Sequence, residues 1–170
     1  MKKIILPIFL ALSSVSFGQK ITADLNLGAH AGSGVNTGIA ANIGVAYKIT
    51  PLFSARLDAG LDQFGDNNMT RVNLNGLVNL TNMLKLTESN YGLTAHLGAG
   101  VSNRVNDLLF KDNYRISGDA MINTMFGLTP SYKLNDKMSI QMDASYILLF
   151  KSNTDLKNYL NTTIGISYKF

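Results

Sequence analysis

The chain closes on Ile164-Gly165-Ile166-Ser167-Tyr168-Lys169-Phe170. Every second residue is large and apolar, and Gly165, Ser167 and Lys169 lie between them. A period of two places Ile164, Ile166, Tyr168 and Phe170 on one face of a strand and small or polar residues on the other. Two questions follow: whether the pattern repeats along the chain, and which solvent its apolar face meets.

The pattern repeats. A first strand sets Ala23, Leu25, Leu27, Ala29 and Ala31 against Asp24, Asn26, Gly28 and His30. A second carries Ile39, Ala41, Ile43, Val45, Tyr47 and Ile49, and a third alternates Phe53 to Leu61 with Ser54, Arg56, Asp58, Gly60 and Asp62. The fourth opposes Val72, Leu74, Gly76, Val78 and Leu80 to Arg71, Asn73, Asn75, Leu77 and Asn79. The fifth opposes Tyr91 to Val101 to Gly92, Thr94, His96, Gly98 and Gly100. A less regular sixth sets Ala120, Ile122, Thr124, Phe126 and Leu128 against Asp119, Met121, Asn123 and Met125 and continues towards Leu134. A seventh alternates Met138 to Phe150 with Ser139, Gln141, Asp143 and Ser145. Connections at 50–52, 82–90 and 135–137 alternate with those at 32–37, 65–70, 102–116 and 151–157. With the closing strand this makes eight strands, an even number that brings both termini to one end. The expected fold is all-β, an eight-stranded antiparallel up-and-down transmembrane β-barrel.

The start of the chain reads as a secretory leader. Lys2 and Lys3 precede the short apolar run Ile4 to Leu12, and Ser13, Ser14, Ser16 and Gly18 supply small residues for cleavage near Gly18–Gln19. That run falls short of the about 20 apolar residues a spanning helix needs. Residues 1–18 are therefore expected to be a cleaved signal peptide, and 19–170 the barrel. The sequence holds no Cys, so neither a disulfide framework nor a thiolate metal site is available. Loss of Lys2 and Lys3 would lower the net charge of +4 to about +2. Lys and Arg form no basic run, which argues against a nucleic-acid partner. No cofactor is expected.

Period alone leaves the apolar face free to point outward to lipid or inward around a ligand, as in a soluble lipocalin-like barrel. Lipid outside is favoured by three cues. Aromatics fall near strand ends (Tyr47, Phe53, Tyr91, Tyr132, Phe150, Tyr159, Tyr168, Phe170), where membrane interfaces favour them. The polar face is rich in the small Gly, Ser, Thr and Asn. Ionisable residues lie almost wholly on that face. Asp24, Arg56, Asp58, Asp62, Arg71, His96, Asp119 and Asp143 are then lumen groups, and Arg56 and Arg71 should pair with these aspartates because buried charge needs a partner. His30 and His96 read as lumen filling, since no further metal ligands and no His-x-Ser pair accompany them. Gly92, Gly98 and Gly100 are expected to make room for a large neighbour such as Arg56. In the loop at 102–116, Arg104, Leu108, Leu109, Phe110, Lys111 and Tyr114 combine an apolar tip with cations and are the candidate contacts for a surface partner.

The closing strand, ending on an aromatic carboxyl-terminus, resembles the last strand of an outer-membrane β-barrel. That resemblance implies that Ile164, Ile166, Tyr168 and Phe170 carry the signal read by the barrel-insertion machinery. TPLFSARLDAGLDQF, RVNLNGLVNL, YGLTAHLGAG and MFGLTPSYKLNDKMSIQMDASY resemble the N-terminal barrel of OmpA-family proteins of the kind found in Bacteroidota. The sequence ends without the peptidoglycan-binding domain common in that family, so only the membrane part of its role is expected here. The expectation is a structural or surface-contact protein of a Gram-negative outer membrane, with lipids as its surroundings and a largely plugged lumen. Porin-like passage of small solutes is the alternative, and a lipid-modifying enzyme a third.

Overall fold

The computed structural model describes residues 20–32, 35–64, 67–86, 90–106, 115–150 and 156–170, with backbone alone at 32, 35–36, 67, 105–106 and 115–119. The leader segment and Leu108, Leu109, Phe110, Lys111 and Tyr114 lie outside the described residues. The elements are β1 (Ile21–Gly32), β2 (Val35–Lys48), β3 (Phe53–Phe64), β4 (Asn67–Asn79), the single helical turn α1 (Leu80–Met83), β5 (Tyr91–Asn106), β6 (Arg115–Lys133), β7 (Met138–Phe150) and β8 (Asn158–Lys169). Each strand pairs antiparallel with its neighbours in sequence, and β1 pairs with β8 to close the barrel.

The register fixes the barrel's dimensions. Partners lead from Thr22 through Ala46, Arg56, Asn75, Gly98, Met125, Ile147 and Tyr159 back to Gly32, ten residues beyond the start on β1. With about 3.3 Å per residue and about 4.7 Å between strands, that stagger tilts the strands by about 41°. Eight strands at this tilt leave an interior that side chains can fill.

Exposure decides which face is which. Leu74, Leu97 and Ile164 are 64%, 63% and 62% exposed, whereas Asp62 and Arg71 are 1% and 3% exposed. The outer wall is an apolar surface and the inner wall carries the charges. In water such a wall would forfeit about 25 cal/mol for each Å² left exposed. Tyr47, Phe53, Tyr91, Tyr132, Tyr168 and Phe170 stand on this outer wall at the end carrying both termini. Tyr91 meets Tyr132, and Tyr168 meets Phe170, edge to face with ring centroids 5.1 Å apart.

Several expected boundaries move. β5 continues to Asn106 and β6 begins at Arg115, so the long connection is shorter than 102–116 and Arg104 belongs to a strand. β3 reaches Phe64 and β4 starts at Asn67, which removes most of the loop at 65–70. Side chains here continue the pairing because Phe64 and Met69 have buried positions to fill inside the barrel. Leu80 opens α1 rather than ending β4, and Asn79 caps that turn by accepting from the Asn82 amide at 2.9 Å. Asn82 in turn donates to the Pro51 carbonyl at 2.7 Å, joining two connections at the same end. Pro130 lies inside β6 without an N–H to give. The pairing with β7 skips from Leu128↔Ala144 to Ser131↔Gln141 there, and the Thr129 hydroxyl bridges the gap by donating to Asp143 at 2.8 Å.

Candidate functional site

The lumen is the one place where chemistry-bearing side chains converge among the described residues, and it is layered. Nearest the termini, a band of charge is organised around Arg56. Its guanidinium donates to Asp24 at 2.9 Å and lies 3.9 Å from Asp143. Asn26 donates to Asp24 at 2.7 Å, and Gln141 donates to Asn26 at 2.9 Å. Asp58 takes the side-chain amide of Asn75. A second band is organised around Arg71, which donates to Asp62 and to Asn42 and lies 3.4 Å from the Tyr159 hydroxyl. Asp62 also accepts from Tyr159 at 2.8 Å and Asn161 at 3.0 Å. Carboxylates outnumber guanidiniums in these bands. The surplus is held by amide and hydroxyl donors, which stabilise a buried carboxylate in the same way as a cation does, with less charge.

Beyond Arg71 the lumen changes character. Phe64, Met69, Met121, Met125, Ile147, Leu149, Leu156 and Tyr159 form one buried apolar cluster inside the barrel. His30 stacks on Phe64 with ring centroids 3.8 Å apart, and Phe64 meets Tyr159 edge-on at 5.1 Å. The expected filling of amides and paired charges is therefore corrected in one respect: the far part of the plug is hydrocarbon. Tyr159 is likewise not an interface aromatic. It is fully buried in the lumen, because its hydroxyl has Asp62 to bond there.

Glycines decide which polar groups meet. In three places a glycine stands directly between two partners in register, and the partners bond over it. Asn42 and Arg71 meet over Gly60, His96 and Ser145 over Gly127, and Asn26 and Gln141 over Gly165. A Cβ on Gly60 would lie 2.6 Å from Arg71 Cζ, and one on Gly127 would lie 2.8 Å from His96 Nε2. The arginines owe their room to Gly44 and Gly60. Gly98 and Gly100 lie against Asn75 and Asn73, and Gly92 against Ser131, so the expected service of these three to Arg56 is corrected.

His96 has a serine neighbour that its sequence context does not show. Its Nε2 lies 3.1 Å from Ser145 Oγ, and its Nδ1 lies 3.7 Å from Asp143 and 3.4 Å from Thr129. Serine, histidine and carboxylate thus stand together, as nucleophilic catalysis requires. Yet Ser145 gives its proton to Asp143 rather than to His96, and all three side chains are buried in the plug. The geometry is that of a hydrogen-bonded packing cluster.

No family model and no curated protein sequence matches the chain. Solved structures do. Neisserial surface protein A superposes with a TM-score of 0.70 at 16% identity, over 88% of this chain and 96% of that one. The N-terminal β-barrel domain of Pseudomonas aeruginosa OprF gives 0.55 at 14% identity, over 90% and 99%. Ail, the attachment invasion locus protein of Yersinia pestis, gives 0.54 at 13% identity, over 91% and 100%. The fold is that of the small eight-stranded outer-membrane barrels.

In that barrel Asp24, Arg56, Asp58 and Asp143 gather in one band with His96, and Asp62 with Arg71 forms the other. Asp119 falls on β6 where only backbone is described. Arg104 is half-buried on β5. Ile164, Ile166, Tyr168 and Phe170 all stand on the outer wall. Sequence reading put Met121 and Met125 on the inner face but missed Ile147, Leu149 and Met69 as plug residues.

Proposed function

We propose that this chain is an integral outer-membrane β-barrel with a closed lumen, serving a structural or surface-contact role without catalysis. One observation carries the reading: a closed barrel with an apolar outer wall holds both a salt-bridged band and an apolar cluster inside it. No described helix is long and apolar enough to cross a membrane. The closed strand ladder, with its apolar outer wall, is what would cross in this reading. The likeness to NspA, OprF and Ail supports the fold on which this rests. The end carrying the termini then faces the periplasm, as even-stranded barrels of this kind require. Export by a cleaved leader and recognition of Ile164, Ile166, Tyr168 and Phe170 by the insertion machinery belong to the same proposal. So does a surface partner at the far end, near 102–116.

The test is planar-bilayer conductance of the folded protein, with heat-modifiable gel mobility as the check of folding. A folded band with no stable open conductance is expected; a steady open state would replace this reading with the porin-like one. The direction of the wall has its own test. Leu74 stands near the middle of the outer belt, so Leu74→Arg should cost about 2–4 kcal/mol of folding stability in lipid vesicles. A cost near zero would mean that hydrocarbon does not touch that face.

A further inference from the structure

At the end that carries both termini the lumen opens into a vestibule. A cavity of about 290 Å³ lies at its rim, and a second of about 200 Å³ continues inward to Asp24 and Arg56. The two share Thr22, Ser131, Ser139 and Ser167, whose hydroxyls run along one continuous tube. Lys133, Lys137 and Lys169 line the rim. Lys133 and Lys169 occupy lumen-facing positions, each two residues beyond a serine of the tube. Lys137 sits in a turn fixed by Asn135, whose side-chain oxygen accepts from the amides of Lys137 at 2.9 Å and Met138 at 2.8 Å. Its carbonyl accepts from Lys169 N at 2.8 Å, which ties the turn to β8. Asp136 also lines the rim and pairs with Lys133 at 3.0 Å while remaining almost wholly exposed. Three ammonium groups less one carboxylate leave the rim with a net charge of +2.

We infer that this vestibule binds a phosphate monoester that enters from water along the barrel axis. A dianion matches the rim's charge. Ammonium groups act as point charges toward phosphoryl oxygens, and serine and threonine hydroxyls supply further donors around a tetrahedral group. The lysines line the rim of the mouth, while Tyr47, Phe53, Tyr168 and Phe170 stand on the outer wall. The surrounding lipid headgroups therefore meet aromatic rings, and the lysines meet solute. In the outer-membrane reading that solute is periplasmic; the site itself does not depend on that assignment.

The experiment is an NMR titration of the full folded chain in uncharged detergent micelles, using inorganic phosphate and then glycerol 3-phosphate. Saturable shifts are expected at the amides of Ser131, Lys137, Ser139 and Ser167, weakening as salt is added. Lys137→Glu combined with Lys169→Glu should weaken binding at least about tenfold, the result of reversing two charges at a partly exposed site. Lys85→Glu, on the connection after α1 and outside the vestibule, should leave it unchanged. Heat-modifiable mobility confirms that each variant is folded. Three results would overturn the inference: no saturable shift by about 30 mM ligand, equal weakening by Lys85→Glu, or shifts only in nanodiscs that contain phosphatidate.

Discussion

A single cysteine introduced at Ile147 should resist water-soluble thiol reagents until the apolar cluster around it is thinned. Ile147 is fully buried in the far half of the lumen, packed with Phe64, Met121, Met125 and Tyr159. The protein contains no cysteine of its own, so the probe has no background. In the otherwise unchanged barrel, labelling should run at least about a hundredfold slower than at a cysteine placed on an exposed turn. That factor corresponds to about 2.7 kcal/mol for opening the cluster. Phe64→Ser with Met121→Ser removes hydrocarbon from the plug and gives water polar groups to bond. Labelling of Cys at 147 should then approach the exposed rate while the strand ladder keeps the folded band on gels. Conductance should stay silent even so, because the Arg71 and Arg56 bands lie in series beneath. Rapid labelling in the unthinned barrel would show that the apolar layer does not exclude water.

The second large effect belongs to Arg71. Arg71→Met should cost about 3–5 kcal/mol of folding stability, measured by denaturant unfolding from lipid vesicles. The loss comes less from the missing attraction than from Asp62, left charged in the barrel with only Tyr159 and Asn161 to hold it. Adding Asp62→Asn to Arg71→Met removes that stranded charge and should restore most of the stability. If the double variant were as unstable as the single one, the arginine would act through packing alone.

Much of this was readable from residue order, and the failures share a cause. Alternation located all eight strands because each has one lipid-side row, such as Leu57, Leu74, Leu97 and Ile164. The same rule placed Asp24, Arg56, Asp58, Asp62, Arg71 and Asp143 inside. It gave no signal where both faces are apolar. In Tyr146-Ile147-Leu148-Leu149-Phe150 there is no alternation to read, so Ile147 and Leu149 passed as ordinary strand residues although they fill the plug. Alternation with Ile122 and Phe126 did put Met121 and Met125 on the inner face, but nothing in that row showed that they join Ile147 and Leu149 in an apolar cluster. His96 and Ser145 lie on β5 and β7, with β6 between them. Their meeting depends on Gly127 and on the register of two ladders, neither of which a single strand reveals.

The bond between Asn26 and Gln141 over Gly165 joins β1 to β7 across β8. No isolated hairpin can make it. It exists only after the first and last strands have found each other, so it is a latch that forms at the moment of closure. A chain whose ends meet one pair out of step would bring the wrong side chains to Gly165 and leave both amides without this partner. Correct assembly is thereby rewarded at the seam itself, where an error in a sheet that closes on itself would be hardest to undo.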